Sequence, residues 1–479
     1  MTPIAIMNLL SIYPEVIMIV FGLVLVVLDV MTSDEKKSMV GYFGIAFIII
    51  TVLIAWPPVG KKFLGFGNMV MWDSYSFVFF LIFGVAYTLT TLGGVSYLKD
   101  NGILKGEFYT VMFFSIVGMM FMVSAFDLTV FYAGMETMAI SMYILAGFNK
   151  KSVRSSEAGV KYFIIGAFSS GLFLYGLTYV YGATGSMNYL EIAAALKGDA
   201  AGLTTFKLCL VMMLAGFAFK ISAVPFHMWA PDVYQGAPTP AAGFMTVAPK
   251  AAAMGALIRF AWIALEPVSG MWALFFSILA VITMTYGNLV ALAQNNVKRM
   301  LAYSAIAHAG FMLMGLVSMN PEGYQSVALY ALIYAFMNIG AFTLIGIIKN
   351  KGMIEDERLE SFAGLSKKSP MLAVGLMIFM FSLAGIPPLA GFIGKFQILM
   401  ATMKAELYWL AIIGGLNSAL ACYYYMRVTI FMYFKEAEYE VEAVVTRSAF
   451  ITSFISAIMI LVIGFFPSFF VNLVKTLLV

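Results

Sequence analysis

Charge is what this chain has least of. Only 11% of its 479 residues are Asp, Glu, Lys or Arg, 62% are hydrophobic, and the mean hydropathy is +0.95. Soluble domains carry roughly a quarter charged residues, so this composition excludes a soluble globular enzyme. Cysteine is nearly as scarce: Cys209 and Cys422 lie far apart, each inside an apolar run. They neither form a CxxC nor join a His cluster, which favours structural burial over redox chemistry or metal binding. His227 and His308 are the only histidines and cannot furnish a haem or zinc site by themselves. Also missing are a GxGxxG, a Walker loop and any iron–sulfur spacing. The chain therefore offers no cofactor or metal site of its own, and whatever energy it uses arrives from elsewhere.

What it does have is apolar runs of about 20 residues, each able to cross roughly 30 Å of hydrocarbon as a helix. The fold class is all-α and polytopic. Fourteen spans are expected, near 10–29, 39–56, 75–97, 108–126, 127–147, 157–182, 203–234, 240–264, 269–293, 297–317, 324–348, 371–403, 406–432 and 448–474. The seventh and twelfth are too long for simple spans and contain prolines. The opening MTPIAIMNLL lacks a basic n-region, so no cleaved signal peptide is expected.

Sixteen of the 28 Lys and Arg follow odd-numbered spans, and five lie on the opposite side. By the positive-inside rule the odd loops are cytoplasmic and both termini face out. The formal charge of +4 reflects this topology, so lipid is the expected surrounding and nucleic acid is not a partner.

The remaining seven cations fall within spans. A lysine at the centre of a span costs about 2.5–3.5 kcal/mol, so each needs compensation. Glu136, mid-way along the fifth span, is the most central carboxylate. An isolated acid in hydrocarbon keeps its proton, whereas beside a lysine it can ionise, and the pair then titrates as a unit. The alternative is a structural ion pair locking two helices. Lys161 opens the sixth span, where it either snorkels or modulates Glu136. Lys207 and Arg259, near span ends, are expected as interfacial anchors.

Lys220 precedes a break. Pro225 has no N–H for the carbonyl of Ile221, so the helix must loosen just past the lysine, and irregular backbone at depth is tolerated where it lines protein or water. His227, seven residues on, suits a proton relay or simple packing. Pro249 repeats the arrangement before Lys250 by freeing the carbonyl of Met245. His308 falls mid-way along the tenth span. In FSLAGIPPLAGFIGKF, Pro387 and Pro388 break the twelfth span before Lys395.

Two broken helices each carrying a lysine point to inverted repeats around a transport site. The expected organisation is one transmembrane domain: helices one to three in 1–107, repeats in 108–264 and 269–432, and a last helix in 448–474.

Four stretches carry a family resemblance: KYFIIGAFSSGLFLYGLTYVYGATG, FKISAVPFHMWAPDVYQGAPTPAAGFMTVAPKAAA, NVKRMLAYSAIAHAGFMLMG and GIPPLAGFIGKF. They resemble the subunit N family of NADH-quinone oxidoreductase, respiratory complex I, among antiporter-like proton-translocating subunits that include L, M and Mrp types. The resemblance implies that Glu136 and Lys220 are the acid–lysine pair, Lys161 its modulator, Lys250 the central relay and Lys395 the outlet lysine. His227 and His308 would join the polar axis.

It also implies a redox-driven translocase whose flavin, iron–sulfur clusters and quinone lie in partner subunits. The expected neighbours are K-, J-, A- and M-type subunits in a bacterial inner membrane. Lys395 fits N or L better than M, and the five residues after the last span leave no room for the lateral helix of L. Gln235, where the family often has Glu, is expected in a loop. The alternative is a free-standing or Mrp-type cation/proton antiporter using the same lysines. A purely structural subunit would leave the lysines at depth unexplained.

Overall fold

A computed structural model describes residues 3–56, 60–198, 204–350, 357–436, 441–443 and 446–478. The side chain of Cys209, and residues 351–356 of the long cation-rich loop, lie outside them. The chain opens with α1 (Pro3–Met31), α2 (Ser38–Ile54), a hairpin of β1 (Phe63–Gly65) and β2 (Val70–Trp72), and α3 (Ser74–Asp100). There follow α4 (Gly106–Ser124), α5 (Leu128–Ala146), α6 (Val153–Thr184), α7 (Tyr189–Leu196), α8 (Thr204–Lys220), α9 (Trp229–Gly236) and α10 (Thr239–Ile263). The second half holds α11 (Ser269–Leu292), α12 (Val297–Val317), α13 (Pro321–Ile345), β3 (Ile348–Asn350), α14 (Leu365–Lys368), α15 (Pro370–Ala384) and α16 (Ala390–Lys404). It closes with α17 (Tyr408–Phe434), β4 (Val441–Ala443), α18 (Arg447–Phe465) and α19 (Pro467–Leu477).

Short polar residues set the helix starts. Asp73, Asp127, Ser152, Asn188, Asn296, Asn320 and Thr446 each accept a first-turn N–H through the side chain, satisfying a donor that hydrocarbon could not. Ten helices among the described residues are long and apolar enough to cross a membrane. The other predicted spans correspond to the shorter α2, the two broken elements α8–α9 and α15–α16, and α17. The predicted span 448–474 is two helices: Pro467 cannot supply the N–H that would carry α18 onward, and α19 starts there.

The packing inverts the logic of a soluble protein. Helices α10 and α12 are enclosed along their whole apolar length, while α1, α6, α11 and α18 are open on one side. The open sides carry Leu23, Val27, Phe168, Leu274 and Phe454, which hydrocarbon solvates. Without a hydrophobic drive between helices, close approach of small residues supplies the contact. The run TPAAGFMTVAPKAAAMGALIRF gives α10 such a surface on every side. Between α4 and α5, a Cβ on Gly134 would stand 2.7 Å from the carbonyl oxygen of Gly118.

The loops sort into two faces. Pairing of β3 with β4, and the bridge from Asn296 to Arg358, gather the connections after α11, α13 and α17 on one face. Opposite them, Lys61, Tyr324 and Leu478 line one cavity.

Candidate functional site

The second break shows how an apolar bundle accommodates a lysine. Helix α15 stops at Ala384, one turn before Pro387, and leaves its last carbonyls without helical partners. Lys395, from α16, fills that vacancy: its Nζ donates to the carbonyls of Leu383 and Ala384, each at 3.0 Å, and to Ser418 Oγ at 3.2 Å. The ring of Phe311 lies 5.2 Å from the ammonium. Two glycines permit the approach. Gly385 adopts φ +88, and a Cβ on Gly391 would stand 1.7 Å from the carbonyl oxygen of Ser382.

The first break follows the same plan with the lysine on the other side. Helix α8 ends at Lys220 itself, five residues before the proline ring of Pro225 blocks helix. Its loose ends are taken by neighbours. Trp229 Nε1 donates to the Phe219 carbonyl at 3.2 Å, and the Val224 N–H donates to Thr283 Oγ1 at 3.0 Å. Lys220 thus lies at the negative end of its own helix dipole and donates to Ser170 Oγ at 3.4 Å.

No ion pair joins Lys220 to Glu136. The carboxylate is close enough for its charge to act on Lys220 and on Tyr132 and Tyr143, and its Oε1 is buried without a hydrogen-bond partner. His227 is buried against the Tyr286 ring at 4.7 Å, with Nδ1 unpartnered.

Pro249 does not break its helix. Helix α10 runs through it, and the hydroxyl of Tyr234 donates to the freed Met245 carbonyl at 3.5 Å. Lys250 is 1% exposed, reaches across to α12, and donates to the Ala305 carbonyl at 2.7 Å. His308, one turn along α12, meets the Tyr330 hydroxyl at Nδ1 and the Tyr425 hydroxyl at Nε2, the latter at 3.0 Å. Tyr425 also hydrogen-bonds Ser304. Along α12, His308 lies between Ala305, whose carbonyl Lys250 reaches, and Phe311, whose ring lies 5.2 Å from the Lys395 ammonium. The helices that carry these residues pack in a file across the bundle, α5 and α8 on α10, α10 on α12 and α12 on α16.

Lys161 stands apart from that file. It is 43% exposed and pairs with Glu157 at 2.6 Å and Asp232 at 3.2 Å. Asp232 in turn accepts from Arg299 at 2.7 Å, and Gln235 accepts from the same guanidinium at 3.1 Å. Gln235 therefore belongs to helix α9 and to this network, not to a loop.

Sequence reasoning missed Asp232 although it falls at the end of a predicted span, and missed Arg299, which opens another. Arg259 is not an interfacial anchor. It is buried, pairs with Asp73 at 2.6 Å and lies over the Tyr75 ring at 4.8 Å, locking α10 to the start of α3. Among the described residues no group of three His, Cys, Asp or Glu side chains could hold a metal ion.

Apolar helices wrapped around buried lysines, with two helices interrupted beside a lysine, define a polytopic α-helical transport protein of the antiporter type. The chain belongs to the family described as NADH:quinone oxidoreductase/Mrp antiporter, whose transmembrane region matches residues 125–421. It is 43% identical to NADH-quinone oxidoreductase subunit N of Trichlorobacter lovleyi, over 96% of this chain and 95% of that one. To the subunit N of Chloroflexus aggregans it is 38% identical, over 95% and 94% of the two chains.

Among solved structures, a chain of respiratory complex I from Thermus thermophilus with bound aureothin matches with a TM-score of 0.81 at 29% identity, covering 96% of this chain and 98% of that one. A chain of the Mrp complex from Dietzia matches with a TM-score of 0.82 at 17% identity, over 100% and 97%, a likeness of fold alone.

Proposed function

We propose that this chain is the N-type membrane subunit of a NADH-quinone oxidoreductase and moves protons across the membrane while partner subunits oxidise NADH and reduce quinone. The observation that carries the reading is the setting of Lys220, Lys250 and Lys395. Each is buried, none has a carboxylate of a described residue within ion-pair distance, and each donates to a neutral carbonyl or hydroxyl. A neutral acceptor serves an ammonium and an amine alike, so a proton can arrive or leave without stranding an anion. A lysine retained only as a structural ion would be matched by a carboxylate, because an unbalanced buried charge costs several kcal/mol.

Within this reading Glu136 and Lys220 begin the file, and their state changes together through the charge that Glu136 exerts. Lys250 and His308 carry the middle, with Tyr330 and Tyr425 orienting the imidazole. Lys395 ends it at the α15 carbonyls. The carbonyl ends of α8 and α15 present negative partial charge to a lysine at each break, as expected of paired discontinuous helices. Matching breaks support the assignment of repeats to 108–264 and 269–432. Lys161 modulates from the side through Asp232, which it shares with Arg299.

Partner subunits supply the redox centres, and K-, J-, A- and M-type subunits are the proposed neighbours. The loops after odd-numbered spans are assigned to the cytoplasmic side of a bacterial inner membrane, with both termini outside. The identity to subunit N relatives along nearly the whole chain favours this reading over an Mrp-type antiporter, whose likeness is one of fold. Purification of the native complex tests it: the chain should co-migrate with a flavin- and iron–sulfur-containing assembly that acidifies one side of vesicles on NADH addition. Migration with an assembly lacking both cofactors would overturn it.

A further inference from the structure

Outside the lysine file lies a second buried acid. Glu15, on α1, is 0% exposed, and neither of its carboxylate oxygens has a hydrogen-bond partner. Among the described residues no other carboxyl has both oxygens in that state. Antiparallel packing of α1 on α4, with Gly22 against Phe114 and Asp29 against Gly106, sets Glu15 opposite Ser124 at the end of α4; the next residue, Ala125, bridges Val70 of β2, and the Arg259 guanidinium donates to the carbonyl of the adjoining Met71 at 3.4 Å. The strands packed on α1 read FLG and VMW and bring no titratable side chain. The titratable groups of α2 and α4, Tyr42, Glu107 and Tyr109, lie at the far ends of those helices.

Arg259 borders a cavity that Glu15 itself does not line. Its guanidinium holds Asp73 at 2.6 Å and lines a cavity of about 210 Å³, together with Lys61, Lys62, Tyr75 and Tyr324, on the face opposite the cation-rich loops. Asp73 does not depend on Arg259 alone. The N–H and the hydroxyl of Ser76 each donate to its Oδ1 at 2.9 Å, and it lines the same cavity. Arg259 can therefore leave Asp73 without stranding it, whereas the groups that act on Glu15 are the neutral Ser124 hydroxyl and one cation, this guanidinium.

We propose that Glu15 is a proton-exchanging carboxyl that discharges into this cavity, with Arg259 moving from Asp73 to Glu15 as the proton leaves. As the guanidinium turns, the cavity it borders opens toward Glu15; the O–H bond of the Glu15 carboxyl breaks and the proton passes to water entering from the cavity. The electron pair stays on the carboxylate, and the guanidinium then balances it. A group kept for structure would be paired as Asp73 is. An acid that must exist in two forms is served by a partner that arrives only with the charge. The inference rests on the proton-translocating reading, to which it adds an outlet residue on α1.

Infrared difference spectra of the purified complex, recorded between two pH values, test it. Wild type should show a protonated-carboxyl C=O band that disappears as pH rises and is missing in Glu15→Gln. In Asp73→Asn, which releases Arg259, the band should be weaker at the same pH. Glu15→Asp should move the band in frequency, so the assignment survives if Glu15→Gln assembles poorly. In vesicles, Glu15→Gln should lower protons moved per NADH severalfold.

A pH-independent band, or a band of full strength in Asp73→Asn, overturns the exchange. So does normal pumping by Glu15→Gln in preparations where Lys220→Ala has lost it. If Lys220→Ala itself pumps normally, the translocation reading falls, and the infrared band still decides the chemistry of Glu15.

Discussion

Three acceptors converge on the ammonium of Lys395, and none of them is an anion. That coordination distinguishes a proton-carrying lysine from an anchoring one by substitution. Arginine keeps its charge at any accessible pH and cannot release the proton. Both Lys395→Ala and Lys395→Arg should therefore reduce NADH-driven pumping on the order of a hundredfold, the scale of a lost proton-transfer group. The measurement is pumping and quinone reduction at matched complex content, and full activity in Lys395→Arg would leave Lys395 an anchor.

At the other end of the file, Glu136→Gln and Lys220→Ala should each cut pumping with assembly kept, because no direct ion pair between them holds the helices together. Normal complex content with unchanged pumping in both variants would remove the pair from the path. The lysines and histidines were readable from sequence because an embedded charge is conspicuous in an apolar run. Asp232 and Glu15 carried the same signal, inside predicted spans, and show that every such residue needs a partner to be sought.

Among the elements, the breaks are where local chemistry and site geometry coincide. Proline sets where α8 and α15 end, yet the same residue at Pro249 leaves α10 continuous, with the Tyr234 hydroxyl 3.5 Å from the Met245 carbonyl that lost its helical donor. Gly391 is the complementary constraint on the second break. Its added Cβ would meet the Ser382 carbonyl, pushing α16 off the end of α15 and drawing Lys395 away from its acceptors.

Gly391→Ala should lower both the thermal stability of the assembled complex and its pumping. A Cβ at Gly415 on α17 meets nothing within 4 Å, so Gly415→Ala should be neutral or stabilise by about 0.4–1 kcal/mol. Thermal melts of the two variants beside wild type check the contrast, and equal behaviour would show that the α15–α16 junction tolerates displacement.

For the molecule as a whole, the testable statement is orientation. Ser361, within the long cation-rich loop, is buried and would not report the side on which that loop lies, whereas Lys367 is exposed. With the native cysteines replaced, Lys367→Cys should resist impermeant thiol reagents in intact cells and react after permeabilisation. Lys61→Cys, on the opposite face, should react in both. Reversed labelling would invert the topology and, with it, the side to which the Arg259 cavity opens.

Composition and the placement of charge determined the class of this protein: an all-α bundle in lipid, its faces told apart by lysine and arginine, with interruptions beside Lys220 and Lys395. Those properties are local or additive, since hydropathy, missing N–H groups and charge counts need no knowledge of neighbours. Partnership was decided only by the tertiary structure. Lys161 took Asp232, Arg259 took Asp73, Lys395 took the carbonyls of α15, and Glu136 and Lys220 were brought near without touching. Each of these contacts joins residues distant in sequence through the crossing of separate helices. In a bundle whose helices are apolar on every side, hydrophobic periodicity does not say which face meets which neighbour; close approach of small residues does.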